Sequence, residues 1–396
     1  MSRERIALYA GTIAAYADMY LTQAVLPVLS AELGVGAARS GLTVSVVVLA
    51  IAAASPFYGP LSDVMGRRRV MAGATTLLAL ATLVCAFAPG FGSLVALRAL
   101  QGLFVPGMTA VSVAYAGDRF HVRELPAVVG GIISASLVGG LLGRVLAGGI
   151  AARLGWRTSF VVFAALTAAA ALLLWRGLRE GAARERHGLV AAWSGMLAHL
   201  RDPPLVGAYL VGMCLFFGWI GVFTFLPFHL AGPPYGLSTG AISSVYLVYS
   251  AGVLASPIAG RLSGRIAPRR LIALGLVVEA LGIALLLAPP LPLVVLGLVV
   301  LVAGAMTAQA IAPAFVNMTA RTAKGGANAL YLTSYYVGGT LGASLPGLAL
   351  EGAGWAGVVA VCIAAVGVAL LANALLCGRA ARGEGAAAGG PPPRAL

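Results

Sequence analysis

The 396-residue sequence predicts an all-α integral membrane protein whose twelve transmembrane helices form two pseudo-symmetric bundles of six. Three observations carry that prediction. Hydrophobic residues make up 60% of the chain and charged residues only 10%, with a mean hydropathy of +0.97; soluble domains carry about 25% charge. The apolar residues come in stretches long enough to cross a hydrocarbon core of about 30 Å. The sequence also matches itself at a displacement of about 200 residues, as a duplicated unit would.

A window of about 19 residues places the first six helices at 6–29, 41–61, 70–88, 92–116, 126–151 and 158–176. The second six follow at 204–230, 238–260, 270–288, 292–316, 327–350 and 355–377. Arg3 and Arg5 ahead of an apolar stretch resemble the start of a signal peptide. That stretch contains Asp18 and runs past Pro27, however, so it is read as the first membrane helix. The longest connection, 178–203, with Arg179, Glu180, Arg184, Glu185, Arg186 and His187, separates a bundle at 1–177 from one at 204–377. The tail, 378–396, has too little apolar surface to pack and is predicted to be disordered. Cys85, Cys214, Cys362 and Cys377 form no C-x-x-C and have no His at ligand spacing, so they are read as packing residues, with no metal or cofactor expected.

A net charge of +14 suggests nucleic acid at first, but the basic residues fall in short clusters between apolar stretches rather than along one face. With the N-terminus inside, 21 of the 26 basic residues lie on one side, including Arg119, Arg123, Arg261, Arg265, Arg321 and Lys324. Arg39, Arg153 and Arg157 take the other side, and Arg98 and Arg144 fall within the membrane. The positive-inside rule therefore predicts that both termini are cytoplasmic.

The repeat aligns Leu26-Pro27 with Leu226-Pro227, Ser55-Pro56 with Ser256-Pro257, and "GPLSDVMGRRR" (59–69) with "GRLSGRIAPRR". It also aligns "GGLLGRVLAGGIAARLGW", ending at Trp156, with "GGTLGASLPGLALEGAGW", ending at Trp355. An even number of helices per half gives both halves one orientation and places a substrate site near the midplane between them. Asp18 aligns with Gly218, Asp63 with Gly264 and Arg144 with Ala343, so these charges belong to the N-terminal half alone.

"GPLSDVMGRRR" turns a helix end into a tight loop, with Gly59 and Gly66 for close backbone approach and Asp63 as an anion among Arg67, Arg68 and Arg69. Here the sequence resembles the major facilitator superfamily, whose loop pattern G-x-L-A-D-R-x-G-R-R/K is met at Gly59, Leu61, Asp63, Gly66, Arg67 and Arg68, with Val64 replacing an Arg. The resemblance implies that this loop ties helix two to the start of helix eleven in the outward-facing state. "LRALQG", with Arg98, Gln101 and Gly102, is similar to a second motif of proton-coupled members. The helix-five antiporter motif G-x-x-x-G-P-x-x-G-G is resembled through Gly139, Gly143, Gly148 and Gly149, with Arg144 in place of its Pro and the glycine pair one residue later. "YADMYLTQAVLP" and this Gly-Arg variant are similar to a bacterial subgroup of YnfM- and arabinose-efflux-like permeases. That similarity implies the bacterial cytoplasmic (inner) membrane.

At a rise of 1.5 Å per residue, Asp18, Arg98 and Arg144 reach similar depth. Intramembrane charges usually pair or line a wet cavity, so Asp18 is expected between the two guanidinium groups as a proton carrier; a fixed Asp18–Arg144 ion pair is the alternative. Tyr16, Tyr20, Gln23, Gln101, Gln309, Asn317, Tyr331 and Tyr335 lie on helices one, four, ten and eleven, which line the cavity in the superfamily, and are candidate substrate ligands along with Arg144. Gly139, Gly143 and Ala147 have the spacing that lets helices approach closely, as a seal or a pivot, and Gly148 joins them as a gate candidate. Glu279 is an isolated acid on peripheral helix nine, and His229 is expected to be structural.

The resemblance implies a monomeric secondary transporter in the lipid bilayer, with protons and a small-molecule substrate as partners. Proton-coupled efflux, by antiport, of small organic compounds or drugs is the leading expectation. Proton-coupled uptake and a non-transporting receptor or scaffold stay open. An enzyme is not expected, since the sequence has no metal cluster, G-x-S-x-G or phosphate loop.

Overall fold

The structure, a computed structural model, describes residues 2–121, 123–180, 198–320 and 324–378. The predicted tail beyond Gly378, Arg321, and Arg184, Glu185, Arg186 and His187 of the long connection lie outside the described residues.

Among the described residues the elements are helices, and they make twelve spans. Span one comprises Arg3–Tyr20, a 3₁₀ turn Gln23–Val25 and Leu26–Leu33. Spans two to six are Ala37–Met65, Arg67–Cys85, Phe91–Arg119, Leu125–Leu154 and Trp156–Gly177. Spans seven to ten are Pro203–Ala231, Thr239–Leu262, Pro268–Leu285 and Leu291–Thr319. Span eleven begins as Lys324–Gly342 and continues into Leu345–Leu375, which turns at Gly354 (φ 65°) to become span twelve. Spans one, four, eight and eleven are interrupted where hydropathy predicts continuous helices. An average over a window cannot register a break whose residues are themselves apolar or small.

Because the spans alternate in direction, both chain ends share one face, here called the terminal face, and the opposite face is the distal one. Outward-facing side chains such as Leu80, Leu103, Leu166, Leu281 and Leu371 are exposed, as suits lipid rather than water.

The sequence repeat is visible in the packing. In the N-terminal half, Gly139 and Gly143 of span five lie against the backbone carbonyls of Ile13 and Ala17 in span one, where a Cβ would collide. In the C-terminal half, Gly338 and Gly342 of span eleven meet Met213 and Phe217 of span seven in the same way. The glycines thus set equivalent helix crossings. The Gly-Trp ends correspond too: Gly155 and Gly354 both take positive φ (82° and 65°). Trp156 donates to Glu32 Oε2 at 2.8 Å, and Trp355 to the Leu286 carbonyl at 3.0 Å. All four cysteines are buried and unpaired, as packing residues would be.

Between the halves, span two packs on span eleven, span five on span eight, and span one on span seven. These contacts tighten toward the distal face. Gly41 fits against the Ala343 carbonyl, Gly148 against Ser243, and Gly347 against Ala38.

Backbone-to-backbone contact of this kind cannot yield to an added side chain. Gly143→Leu is expected to cost at least about 1–3 kcal/mol, seen as a lower melting temperature in detergent. Gly149→Leu, at a position with open space around it, is expected to leave that temperature unchanged.

Candidate functional site: an interrupted helix and a caged arginine between the halves

The α-helix of span one stops at Tyr20, and the carbonyls of its last turn must find donors elsewhere. Arg98 of span four supplies them. Its Nη1 donates to the Asp18 carbonyl at 2.8 Å and its Nη2 to the Met19 carbonyl at 2.9 Å, while Nε donates to the Thr43 carbonyl of span two at 3.0 Å. Nη1 also reaches Gln101 Oε1 at 2.9 Å, and Gln101 in turn donates to Thr82 at 2.6 Å. A cation at a helix C-terminus also complements the helix dipole. Arg98 and Gln101 are fully buried. Gln101, expected among the substrate ligands, instead orients Arg98 inside the N-terminal bundle.

Asp18 is buried beside this break. Its Oδ2 accepts from Thr167 of span six at 2.7 Å, and among the described residues Oδ1 has no hydrogen-bond partner. Arg98 is the cation whose charge acts on it, and the Cys85 thiol lies nearby. The expected carboxylate held between two guanidinium groups is not formed: Arg98 binds the main chain of Asp18, and Arg144 lies elsewhere. Successive helix residues differ by about 100°. With Ile13 and Ala17 committed to span five, Asp18 turns to span six instead.

Arg144 projects from span five toward the other half. Its Nε donates to Gln23 Oε1 at 2.6 Å and its Nη1 to the Gly140 carbonyl at 2.5 Å. Gln23 then donates to Thr224 of span seven at 2.8 Å. The guanidinium carbon lies 3.8 Å from the ring centre of Tyr20, 4.4 Å from that of Tyr249 and 5.7 Å from that of Tyr246. Tyr246 and Tyr249 fall in the 3₁₀ segment of span eight, whose three-residue turn brings positions i and i+3 to one face. Tyr246 donates to the Phe223 carbonyl at 2.8 Å, and Trp219 donates to the Tyr249 hydroxyl at 2.7 Å. Arg144 is 1% exposed, and among the described residues no carboxylate forms an ion pair with it. A charge placed here costs about 2.5–3.5 kcal/mol on insertion scales. Desolvated cation–π contacts of about 2 kcal/mol each offset that cost without neutralising the charge.

The remaining candidates divide between the halves. Tyr16 faces Tyr336 across the interface. Tyr335 stacks on Phe216 at 3.9 Å, and Tyr331 donates to Gln309 Oε1 at 2.9 Å. Asn317 pairs with Asn328 closer to the terminal face. Tyr20, Gln23 and Arg144 therefore come together, while Tyr331, Tyr335 and Gln309 gather on the C-terminal half, with Tyr335 near Tyr20 and Tyr16.

The motif loop binds its own half. Arg67 pairs with Asp63 at 3.1 Å and with Asp118 of span four. Arg68 donates to the Trp175 carbonyl at 2.6 Å, and Gly66 (φ 94°) packs on Glu180. Gly59, expected at a close approach, has open space around it in this state. A latch absent from the sequence analysis closes the distal face: Glu351 Oε1 accepts from the Ala38 backbone N–H at 3.0 Å, at the start of span two. That helix has no acid in its own first turn. Glu279 is buried, both its carboxylate oxygens lack hydrogen-bond partners among the described residues, and it lies against Gly218, the residue the repeat pairs with Asp18. His229 stacks on Trp355 at 4.5 Å, the structural place expected of it.

Two six-helix halves related by a repeat, closed at one face around a buried polar centre, are the architecture of a membrane transporter. The Major Facilitator Superfamily model matches residues 8–254 and 232–395, and the chain belongs to that superfamily. The chain is 29% identical over 376 residues to the inner membrane transport protein YnfM of Escherichia coli (strain K12), covering 94% of this chain and 90% of that protein. It is 26% identical over 355 residues to the MFS-type transporter YybF of Bacillus subtilis (strain 168), covering 89% and 88%. A bacterial homologue of the human lysosomal transporter Spinster, in an inward-facing and unoccupied conformation, shares the fold with a TM-score of 0.79 at 16% identity, covering 96% of each chain. The nucleoside transporter NupG (D323A mutant) gives 0.80 at 14% identity, covering 94% and 99%.

Arg98→Leu strands the carbonyls of Asp18 and Met19 and is expected to destabilise the protein by at least ~2 kcal/mol, read as a fall in thermal stability on fluorescence-detected size exclusion. Arg69→Leu, whose side chain is 70% exposed, should not.

Proposed function

We propose that the protein is a proton-coupled exporter of small organic compounds, with Asp18 as its proton carrier. The observation that carries this reading is a buried carboxyl with one oxygen on Thr167 and, among the described residues, no hydrogen-bond partner for the other and no ion pair, at the interruption of span one. The basic-residue count supports a cytoplasmic terminal face, and on that orientation a state closed at the distal face is closed to the outside. The halves 1–177 and 204–377 rock against each other within a monomer. In the opposite state the distal contacts part, and Asp63 swings toward the start of span eleven, as the motif resemblance implies.

Competition for Arg98 couples the proton to that motion. With Asp18 protonated, Arg98 stays on the carbonyls of Asp18 and Met19, as described. With Asp18 ionised, its carboxylate draws the guanidinium, the break in span one loosens, and the Gln23–Thr224 contact next to it weakens. The groups facing Asp18 are Arg98 from span four, Cys85 and Thr82 from span three, and Thr167 from span six; span five contributes glycines at this crossing.

In proteoliposomes with an imposed pH gradient, Asp18→Asn is expected to abolish uphill transport of a screened substrate while keeping counterflow exchange. Uphill transport by Asp18→Asn at the wild-type rate would sink the proposal, and wild-type accumulation in the uptake direction would reverse its assigned polarity.

A further inference from the structure

We infer that the cage around Arg144 is a binding site for a small monocarboxylate with an apolar, preferably aromatic, body. This rests on reading the space between the halves as the transport site. The two buried arginines differ in a way that selects one of them. Arg98 is saturated by the carbonyls of Asp18, Met19 and Thr43, by Gln101 and by the Thr22 hydroxyl. Arg144 has three oxygen acceptors, Gln23 Oε1, the Gly140 carbonyl and the Tyr20 hydroxyl, and otherwise lies among tyrosine rings. A guanidinium has five N–H donors, so Arg144 retains donors that an anion can use.

The cage discriminates by charge. Its immediate neighbours, Gln23, Tyr20, Tyr246, Tyr249, Trp219 and Thr224, are neutral. A cationic ligand meets the like charge of Arg144, which already occupies the tyrosine faces. A dianion finds one positive charge, because Arg98 is committed to the backbone. A single carboxylate matches the planar fork of one guanidinium in geometry and in charge. Tyr16, Phe216 and Tyr335 extend an aromatic surface away from the cage, suited to the apolar body of such a ligand.

Two of the three rings belong to the other half. Tyr246 and Tyr249 ride on span eight, whereas Tyr20, Gln23 and Arg144 ride on spans one and five. Rocking the halves apart at the distal face withdraws those two rings and uncovers the guanidinium. The carboxylate then takes the place that the tyrosine faces held.

Trp219 donates to the Tyr249 hydroxyl and so reports on the cage. The test is intrinsic fluorescence titration of the purified full chain with benzoate, its neutral analogue benzamide and its cationic analogue benzylamine, with Trp219→Phe identifying the responding indole. Benzoate is expected to bind at least tenfold more tightly than either analogue. Arg144→Gln should lose that preference, Arg144→Lys should keep part of it, and Leu371→Ala, at an exposed outward-facing position, should leave it intact. Equal affinity for benzoate and benzamide, preference for benzylamine, absence of benzoate binding, or unchanged benzoate preference in Arg144→Gln would each overturn the inference. The comparison of ligands on the unmodified protein decides the matter even where Arg144→Gln does not fold. Binding is read without flux or a pH gradient, so failure of the proton-carrier proposal would leave this result standing, and the converse holds.

Discussion

A membrane helix that stops halfway must give its loose carbonyls a donor, and Arg98 is the donor for span one. The rest of the central arrangement depends on that exchange. Because the carbonyls are met, the chain can run through a short 3₁₀ turn before resuming at Leu26. That turn places Gln23 where it bridges Arg144 and Thr224. Asp18, at the edge of the same break, is left with one unpartnered oxygen inside the bundle. One buried cation thus sets the positions of an acid, a bridging amide and a second cation through hydrogen bonds to main-chain carbonyls.

The two halves share a scaffold and differ in what is added to it. Glycine pairs at corresponding places press span five on span one and span eleven on span seven. Arg144 stands on this scaffold where the other half has Ala343, whose carbonyl packs against Gly41. The N-terminal half supplies the guanidinium, and the C-terminal half answers with Tyr246, Tyr249 and Trp219. Each half also encloses one acid, Asp18 in the first and Glu279 in the second, meeting at repeat-equivalent places although they come from non-equivalent helices.

Much of this was legible in the sequence because glycine spacing, span count and basic clusters are one-dimensional signals. The repeat could be read from aligned Gly-Trp ends, and Gly155 and Gly354 turn out to share positive φ. The azimuth of each side chain was not legible. Depth along a helix follows from counting residues, and it brought Asp18, Arg98 and Arg144 together; rotation about the axis then separated Asp18 from Arg144. Nor could spacing reveal that Arg98 would bind main-chain atoms, since every residue has a carbonyl. Tyr246 and Tyr249 carried a faint signal, two tyrosines three apart, that becomes informative only once span eight is known to be 3₁₀ there. Glu351 carried none, because its partner is the backbone N–H of Ala38 in the other half.

The central claim is that the proton state of Asp18 governs how the two halves meet. Double electron–electron resonance between nitroxides on Val64→Cys and Met318→Cys, exposed positions at the terminal ends of spans two and ten, measures that relation directly, and the four native cysteines are buried. The account predicts two distance populations whose ratio changes with pH in the unmodified protein and is fixed in Asp18→Asn. A distance distribution that ignores pH, or one that responds equally in Asp18→Asn, would contradict it.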